Sequence, residues 1–225
     1  MIDMSHLYII VPTYNEAQII GSVIEEIQRA GYSNIIVVDD GSDDDIGKKL
    51  ESYHIQYLRH MINRGKGAAI KTGIEAAKIL GATAVITMDG DGQHNPADIH
   101  KMLDLLGKGY DVVLGSRLIH SKGMPFIKVV ANHVGNFFTW LIYGLWVTDS
   151  QSGFRAYSRR ALDLIDTKHD RYEYDSEIIR EIHRHRLKYA EIPIEVRYTE
   201  YSMSKKQKQS FINGLRTLLK LVLSA

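Results

Sequence analysis

Residues Thr83–Asn95 read TAVITMDGDGQHN, and their reading decides the fold. Thr83 to Met88 is a β-branched, apolar run of strand length, and it stops at Asp89-Gly90-Asp91-Gly92. Two carboxylates one residue apart, each followed by glycine, put hard oxygen donors on a tight turn at a strand's end. Such a pair suits Mg²⁺ or Mn²⁺, which keep waters and take phosphate oxygens as further ligands. The same residues also build ordinary turns, so the neighbouring sequence must choose between the readings.

Outward from this turn, strands and helices alternate. Leu7–Val11 reads as a first strand ended by Pro12, and a helix opens at Asn15 or Glu16 and runs to about Ala30. Asn34–Val38 is a second strand ending at Asp39-Asp40, followed by a turn and a helix over Asp44–Ser52. Ile55–Leu58 is a short third strand, and the loop Asn63–Gly67 leads into a helix over Ala68–Leu80. Beyond the aspartate turn come a helix from Pro96 to Leu106 and a strand, Asp111–Leu114, followed by Gly115-Ser116-Arg117. This alternation predicts an α/β fold with a mostly parallel central sheet and helices on both faces. The polar clusters Thr13–Glu16, Asp39–Asp43, Asp89–Gln93 and Ser116–Arg117 all follow strands. In open α/β sheets that is the ligand-binding rim.

The second half is less regular. Lys128–Val147 reads as a helix, Gln151–Tyr157 as a short edge strand, and Arg159–Ile165 and Ser176–His185 as helices. A late strand spans Ala190–Val196, a polar loop with Lys205, Lys206 and Lys208 spans Tyr198–Ser210, and a final helix spans Phe211–Leu223. Phe137–Val147 (FFTWLIYGLWV) reads either as a buried core helix or as an interfacial segment whose aromatic rings meet a membrane surface. No composition shift divides the chain, so one domain is expected over residues 1–225. Residues 6–120 would form a nucleotide- and metal-binding half, and residues 121–225 an acceptor half closed by the C-terminal helix.

The 225 residues carry a net charge of +1, with 44% hydrophobic and 24% charged residues. That composition is globular, and the near-zero charge argues against a nucleic-acid partner. The absence of cysteine excludes disulfides and thiolate metal sites. The start, MIDMSHLYIIVPTYN, lacks the basic run of a signal peptide, and no stretch approaches the ~18 apolar residues that span a bilayer. A cytoplasmic protein is expected, peripheral at the cytoplasmic face of the membrane if the aromatic stretch is interfacial. No Gly-x-Gly-x-x-Gly follows the first strand and no Walker loop occurs, which disfavours nicotinamide cofactors and P-loop chemistry.

The motifs VPTYNE, VVDDGSDD, NRGKGAAIKTG, MDGDGQHNP, GSR and SGFRAY occur in this order. Together they resemble the inverting family 2 glycosyltransferases of the GT-A fold, over about residues 6–215. The likeness points to the dolichol-phosphate mannosyltransferase and polyprenyl-phosphate glucosyltransferase branch. It implies that Pro12, Tyr14, Asn15, Glu16, Asp39, Lys66 and Asp89 bind the donor nucleotide, with Gly67 supporting the rim. Asp89, Asp91 and Gln93 would hold Mg²⁺ or Mn²⁺ against the diphosphate. Arg117 would meet an acceptor phosphate, and Lys128, Ser152, Gly153, Arg155 and Lys205 would serve the sugar and acceptor.

The implied reaction moves a hexose from GDP-mannose or UDP-glucose to a polyprenyl (dolichyl) phosphate, with Asp91 and Arg117 stabilising charge. A glycan or protein hydroxyl acceptor is the alternative, and it would need a general base, for which Asp149 is the candidate. Asp149 also reads as a cap before the SGFR turn. A non-catalytic nucleotide-sugar-binding protein is the remaining class. His94, His133 and His169 read as surface or supporting residues. Members of the branch often carry transmembrane helices after the catalytic domain, and none precedes Ala225 here. Gln-x-x-Arg-Trp is absent, which argues against a processive synthase.

Overall fold

The computed structural model describes residues 3–119, 126–171 and 173–197, with the side chains of the helix after residue 125 described from His133 onward. Lys205 and the predicted C-terminal loop and helix lie outside the described residues, as does the side chain of Lys128.

Seven strands form one sheet: β1 (Leu7–Thr13), β2 (Ile35–Asp39), β3 (Gln56–Arg59), β4 (Ala84–Thr87), β5 (Val112–Ser116), β6 (Arg155–Ser158) and β7 (Tyr189–Pro193). Their spatial order is β3-β2-β1-β4-β6-β5-β7. All pairings are parallel except those of β6, which runs antiparallel to both β4 and β5. The helices are α1 (Ile20–Arg29), α2 (Ile46–Leu50), α3 (Lys66–Ile79), α4 (Ile99–Gly107), α5 (Phe126–Tyr143), α6 (Arg159–Leu164) and α7 (Glu173–Arg184).

The central strands β1, β2 and β4 are largely apolar because both faces are covered. Ile9, Val11, Ile35, Val37 and Ile86 pack with Ile20, Ile24 and Ile27 of α1, Ile46 of α2, and Ile99 and Met102 of α4. The alternate residues Ile10, Ile36, Val38 and Val85 pack with Ala69 and Ile70 of α3 and Ile178, Ile179 and Ile182 of α7. Each fully buried isoleucine contributes about 1.5–3 kcal/mol, so the two layers fix the strand register that sets the rim.

Three expectations are corrected. The Gln151–Tyr157 segment is not an edge strand: β6 sits between β4 and β5, pairing Thr87 with Arg155 and Leu114 with Arg155. Because β6 is antiparallel, the loop before it lies at the same end of the sheet as the loops after its parallel neighbours. The first helix begins at Ile20 rather than at Asn15 or Glu16. Asn15 adopts a left-handed φ of 55°, which asparagine tolerates and a helix does not. Finally, α5 is not a plain core helix. Its inner face carries Asn136 and Thr139, both buried, while Val134, Phe137, Trp140 and Leu141 are exposed.

Candidate active site

The order β3-β2-β1-β4 places a switch in chain direction between β1 and β4, where such sheets open a crevice at their carboxyl ends. The loops after β1 and β2 form its first wall. Asn15 N–H donates to Ser42 Oγ (2.8 Å), Asn15 Oδ1 accepts from Asp43 N–H (2.8 Å), and Asp44 Oδ2 accepts from Ala17 N–H (2.8 Å). Pro12 and Glu16 are buried beneath this wall and Tyr14 is half-buried.

Asp39 is fully buried. Its carboxylate accepts from the Ser42 backbone (2.8 Å) and hydroxyl and from Tyr57 Oη (2.9 Å), with Arg59 Nε at 3.4 Å. Burial and the bond to Asp39 push the Tyr57 phenol up to about 12. Asp40, which sequence reasoning left without a role, binds the next loop. It accepts from Arg64 N–H (2.9 Å) and Gly65 N–H (2.6 Å), and His60 Nδ1 stands 2.8 Å away. The paired aspartates thus divide the work: Asp39 closes its own turn, and Asp40 fixes the loop that delivers Lys66.

The aspartate turn after β4 faces Lys66. The Lys66 ammonium lies 2.7 Å from Asp89 Oδ1, and His94 Nε2 lies 3.3 Å from Asp89 Oδ2. His94 is buried against the Phe154 ring, 5.1 Å between centroids, so it orients Asp89 from behind. Asp91 Oδ1 accepts from Gln93 N–H at 3.0 Å, and Gly92 supports the turn at φ 74°. Burial works against the charge on Asp89, yet Lys66 and His94 outweigh it and hold the carboxyl far below its usual range. Asp91 is shifted the other way, raised by burial and by the neighbouring charge of Asp89.

Among the described residues no three His, Asp or Glu side chains gather into a self-sufficient metal cage. The donor set still fits a hard divalent cation: two neighbouring carboxylates on one turn, Asp89 paired with Lys66 and Asp91 without an ion-pair partner of its own among the described residues. Mg²⁺ or Mn²⁺ bound there would draw its remaining ligands from water and phosphate.

Two further loops complete the rim. Thr87 Oγ1 donates to Gly153 O at 2.7 Å, drawing the Ser152-Gly153 loop onto β4. A Cβ on Gly153 would lie 2.3 Å from Lys66 Nζ and 2.6 Å from Asp89 Oδ1, so any larger residue here would push this ion pair aside. Ser152 is fully buried. Arg155 is also buried and does not face open space. Its Nε donates to Ser152 O (2.8 Å), and Nη2 donates to Ser150 O (2.8 Å) and Asp175 O (3.1 Å). It shapes the loop from beneath.

After β5, Arg117 and Asp149 form a fork. Arg117 Nε and Nη2 donate to the two Asp149 oxygens at 2.7 and 2.8 Å, and Arg117 N–H adds a third bond at 3.1 Å. Burial alone would raise Asp149, but these bonds and the guanidinium charge lower it. Both Asp149 oxygens are thus engaged in holding the Arg117 guanidinium. Burial likewise opposes the Arg117 charge, and Asp149, then Asp89 and Asp175, outweigh it and keep the guanidinium protonated.

Asp175, at the start of α7, is the other residue that sequence reading missed. The run EYDSE looks like ordinary acidic residues at a helix N-terminus. In the fold Asp175 Oδ2 stands 3.9 Å from Lys66 Nζ, and Oδ1 stands 3.3 Å from Arg155 Nη2.

A doubly covered, mostly parallel sheet whose switch-point rim gathers Asp89, Asp91, Lys66 and Arg117 defines a GT-A-type glycosyltransferase. The chain belongs to glycosyl transferase family 2, whose profile matches residues 8–165. It is 42% identical to an uncharacterized protein of Methanocaldococcus jannaschii, over 99% of this chain and 93% of that one. It is 39% identical to the UDP-N-acetylglucosamine–dolichyl-phosphate N-acetylglucosaminyltransferase of Methanococcus voltae, over 88% of each chain. Among solved structures it resembles glucosyl-3-phosphoglycerate synthase from Mycobacterium tuberculosis bound to Mn²⁺, UDP and phosphoglyceric acid. There the TM-score is 0.73 at 18% identity, over 97% of this chain and 77% of that one.

Proposed function

We propose that this glycosyltransferase moves one sugar, with inversion, from a nucleoside diphosphate to a polyprenyl phosphate, assisted by Mg²⁺ or Mn²⁺ at Asp89, Asp91 and Gln93. The observation that carries the reading is the charge layout of the rim. Lys66 and Arg117, both held protonated, flank the two carboxylates of the Asp89–Asp91 turn. A departing nucleoside diphosphate develops negative charge, and fixed cations beside it lower the barrier. A bound divalent metal would supply Lewis-acid stabilisation of the same leaving group.

The protein's own groups do the positioning. Asn15, Ser42 and Asp43 lock the first two loops into the wall against which the nucleotide rests, with Pro12, Tyr14 and Glu16 around it and Asp39 bracing the wall from beneath. Asp149 aims Arg117, whose remaining donors meet the acceptor phosphate. A phosphate oxygen is already ionised near neutral pH, so transfer to it requires no general base. That agrees with the engagement of Asp149 by Arg117.

The relative from Methanococcus voltae, by its name, uses UDP-N-acetylglucosamine and dolichyl phosphate, which supports the lipid acceptor. It adds UDP-N-acetylglucosamine to the donors, GDP-mannose and UDP-glucose, that the motifs suggest. The exposed face of α5 supports contact with the membrane that carries such an acceptor. Phe137, Trp140 and, just beyond the helix, Trp146 form a chain of ring contacts at 5.8 and 6.2 Å, all at least 41% exposed. Amphipathic rings favour the bilayer interface. No described helix is long and apolar enough to cross a membrane; we place this contact, as a peripheral one, at the cytoplasmic face.

Labelled GDP-mannose, UDP-glucose and UDP-N-acetylglucosamine, each incubated with dolichyl phosphate and Mn²⁺, test the reading. One donor should give label that partitions into organic solvent. Label passing only to soluble sugars would overturn the lipid acceptor.

A further inference from the structure

Lys66 is one cation placed between two acids. Its ammonium lies 2.7 Å from Asp89 Oδ1 and 3.9 Å from Asp175 Oδ2. Asp175 is 6% exposed, and its Oδ1 has no hydrogen-bond partner, since Arg155 Nη2 at 3.3 Å lacks the geometry of a bond. A buried carboxylate oxygen without a donor is costly unless another state of the protein supplies one.

The Lys66 backbone is held on both sides. Asp40 binds the N–H groups of Arg64 and Gly65, and Ala68 N–H donates to Asp170 O at 3.1 Å. A Cβ on Gly67 would lie 2.6 Å from Tyr174 Cβ, which packs this loop directly against the segment that carries Asp175. Only the Lys66 side chain is left to move, and Asp175 Oδ2, 3.9 Å from its ammonium, lies within its reach.

We propose that Asp175 is a positioning residue that receives the Lys66 ammonium when a divalent cation takes over Asp89. Before the metal arrives, Lys66 compensates Asp89. On metal entry the ammonium swings to Asp175, so Asp89 is compensated in both states, by Lys66 before the metal arrives and by the metal after it. Lys66 therefore competes with the metal, and Asp175 relieves that competition. The proposal rests on the metal reading of Asp89 and Asp91 given above.

Titration of Mn²⁺ against the full chain without nucleotide, with free Mn²⁺ read by electron paramagnetic resonance, tests it. Lys66→Met should tighten Mn²⁺ binding about tenfold, and Asp175→Asn should weaken it by about the same factor, the change carried by one modest charge interaction. In the Lys66→Met background, Asp175→Asn should change affinity less than about twofold, because its effect runs through Lys66. A Lys66→Met protein that binds Mn²⁺ no tighter than wild type overturns the exchange. So does an Asp175→Asn effect of equal size in both backgrounds, which would mean simple through-space attraction.

Crystal structures of the unaltered protein with and without Mn²⁺ read the same exchange without any substitution. Lys66 Nζ should move to within about 3 Å of an Asp175 oxygen, an ordinary charged hydrogen-bond distance. A lysine that stays on Asp89 beside bound metal overturns the exchange while leaving the metal site intact. Wild-type protein that binds no Mn²⁺ overturns the metal reading, and the exchange with it.

Discussion

Replacing Asp149 with asparagine separates an Arg117-orienting role from a general-base role. The carboxylate is 1% exposed and accepts three N–H groups from Arg117, whose side chain is 24% exposed. Asparagine keeps one acceptor oxygen and turns an NH₂ toward donors, so one or two charge-assisted bonds are lost at about 1.5–3 kcal/mol each. Partial exposure lets water replace some of that loss at the guanidinium, which brings the expected destabilisation to about 2–3 kcal/mol. For a chain of this size that is a drop of about 5–10 °C in Tm.

Calorimetry reads the stability, and steady-state transfer reads the function. The KM for the lipid phosphate should rise with Arg117 unaimed, while donor affinity stays near wild type. The shape of the pH–rate profile should be unchanged, since Asp149 takes no proton. Its carboxyl pKa is depressed by folding, so the stability it contributes is present above the ordinary value of 3.8 and fades as pH falls through the lower folded value. The gap between wild type and Asp149→Asn should therefore narrow in acid. A variant with wild-type Tm and acceptor KM, but with the acidic limb of its pH profile gone, would refute the orienting role.

Other outcomes follow from the same geometry. Gly153→Ala drives a methyl group into the Lys66–Asp89 pair. Both side-chain ends can shift, so stability should change by about 1 kcal/mol or less, while displacement of the pair should lower transfer by up to about a hundredfold; both are readable from one preparation. Asp40→Ala frees the N–H groups of Arg64 and Gly65. Urea unfolding should show a loss of about 2–4 kcal/mol, with weaker donor binding. Phe137→Ser with Trp140→Ser should reduce flotation with liposomes severalfold and change stability by less than about 1 kcal/mol, because both rings are exposed. Unchanged flotation would remove the α5 face from the membrane contact.

The strands of the first half were legible because both faces of the sheet are covered, which leaves near-continuous apolar runs such as Ile35–Val38. The direction of β6 was not legible. A four-residue strand states that it is extended and says nothing of which neighbours it joins, and the chain reaches it from outside the alternating pattern. The orientation of α5 was hidden for a different reason. Its aromatic content is the same whichever face turns inward, and the deciding residues are the polar Asn136, which binds Thr148 O and Ser150, and Thr139.

Side-chain roles were read only as far as charge allows. Asp89, Asp91 and Arg117 stood out at strand ends, and the fold brings them to one rim. Arg155 looked like a ligand-facing cation, yet it lies in the interior with Nε and Nη2 bonded to the backbone of Ser152, Ser150 and Asp175. The doubled Asp39-Asp40 was a signal whose second member could have been assigned to the following glycine loop. Asp175 offered no such signal, because its significance lies in Lys66, a residue distant in sequence.

The central claim is that the Asp89–Asp91 turn holds a divalent metal against a nucleoside diphosphate. Anomalous scattering from a crystal grown with Mn²⁺ and the nucleoside diphosphate of the active donor measures this directly. The account predicts a single strong peak about 2.1 Å from carboxylate oxygens of Asp89 and Asp91 and from the diphosphate, the spacing of hard-cation octahedral sites. A nucleotide bound at the rim with no peak at these carboxylates would contradict it.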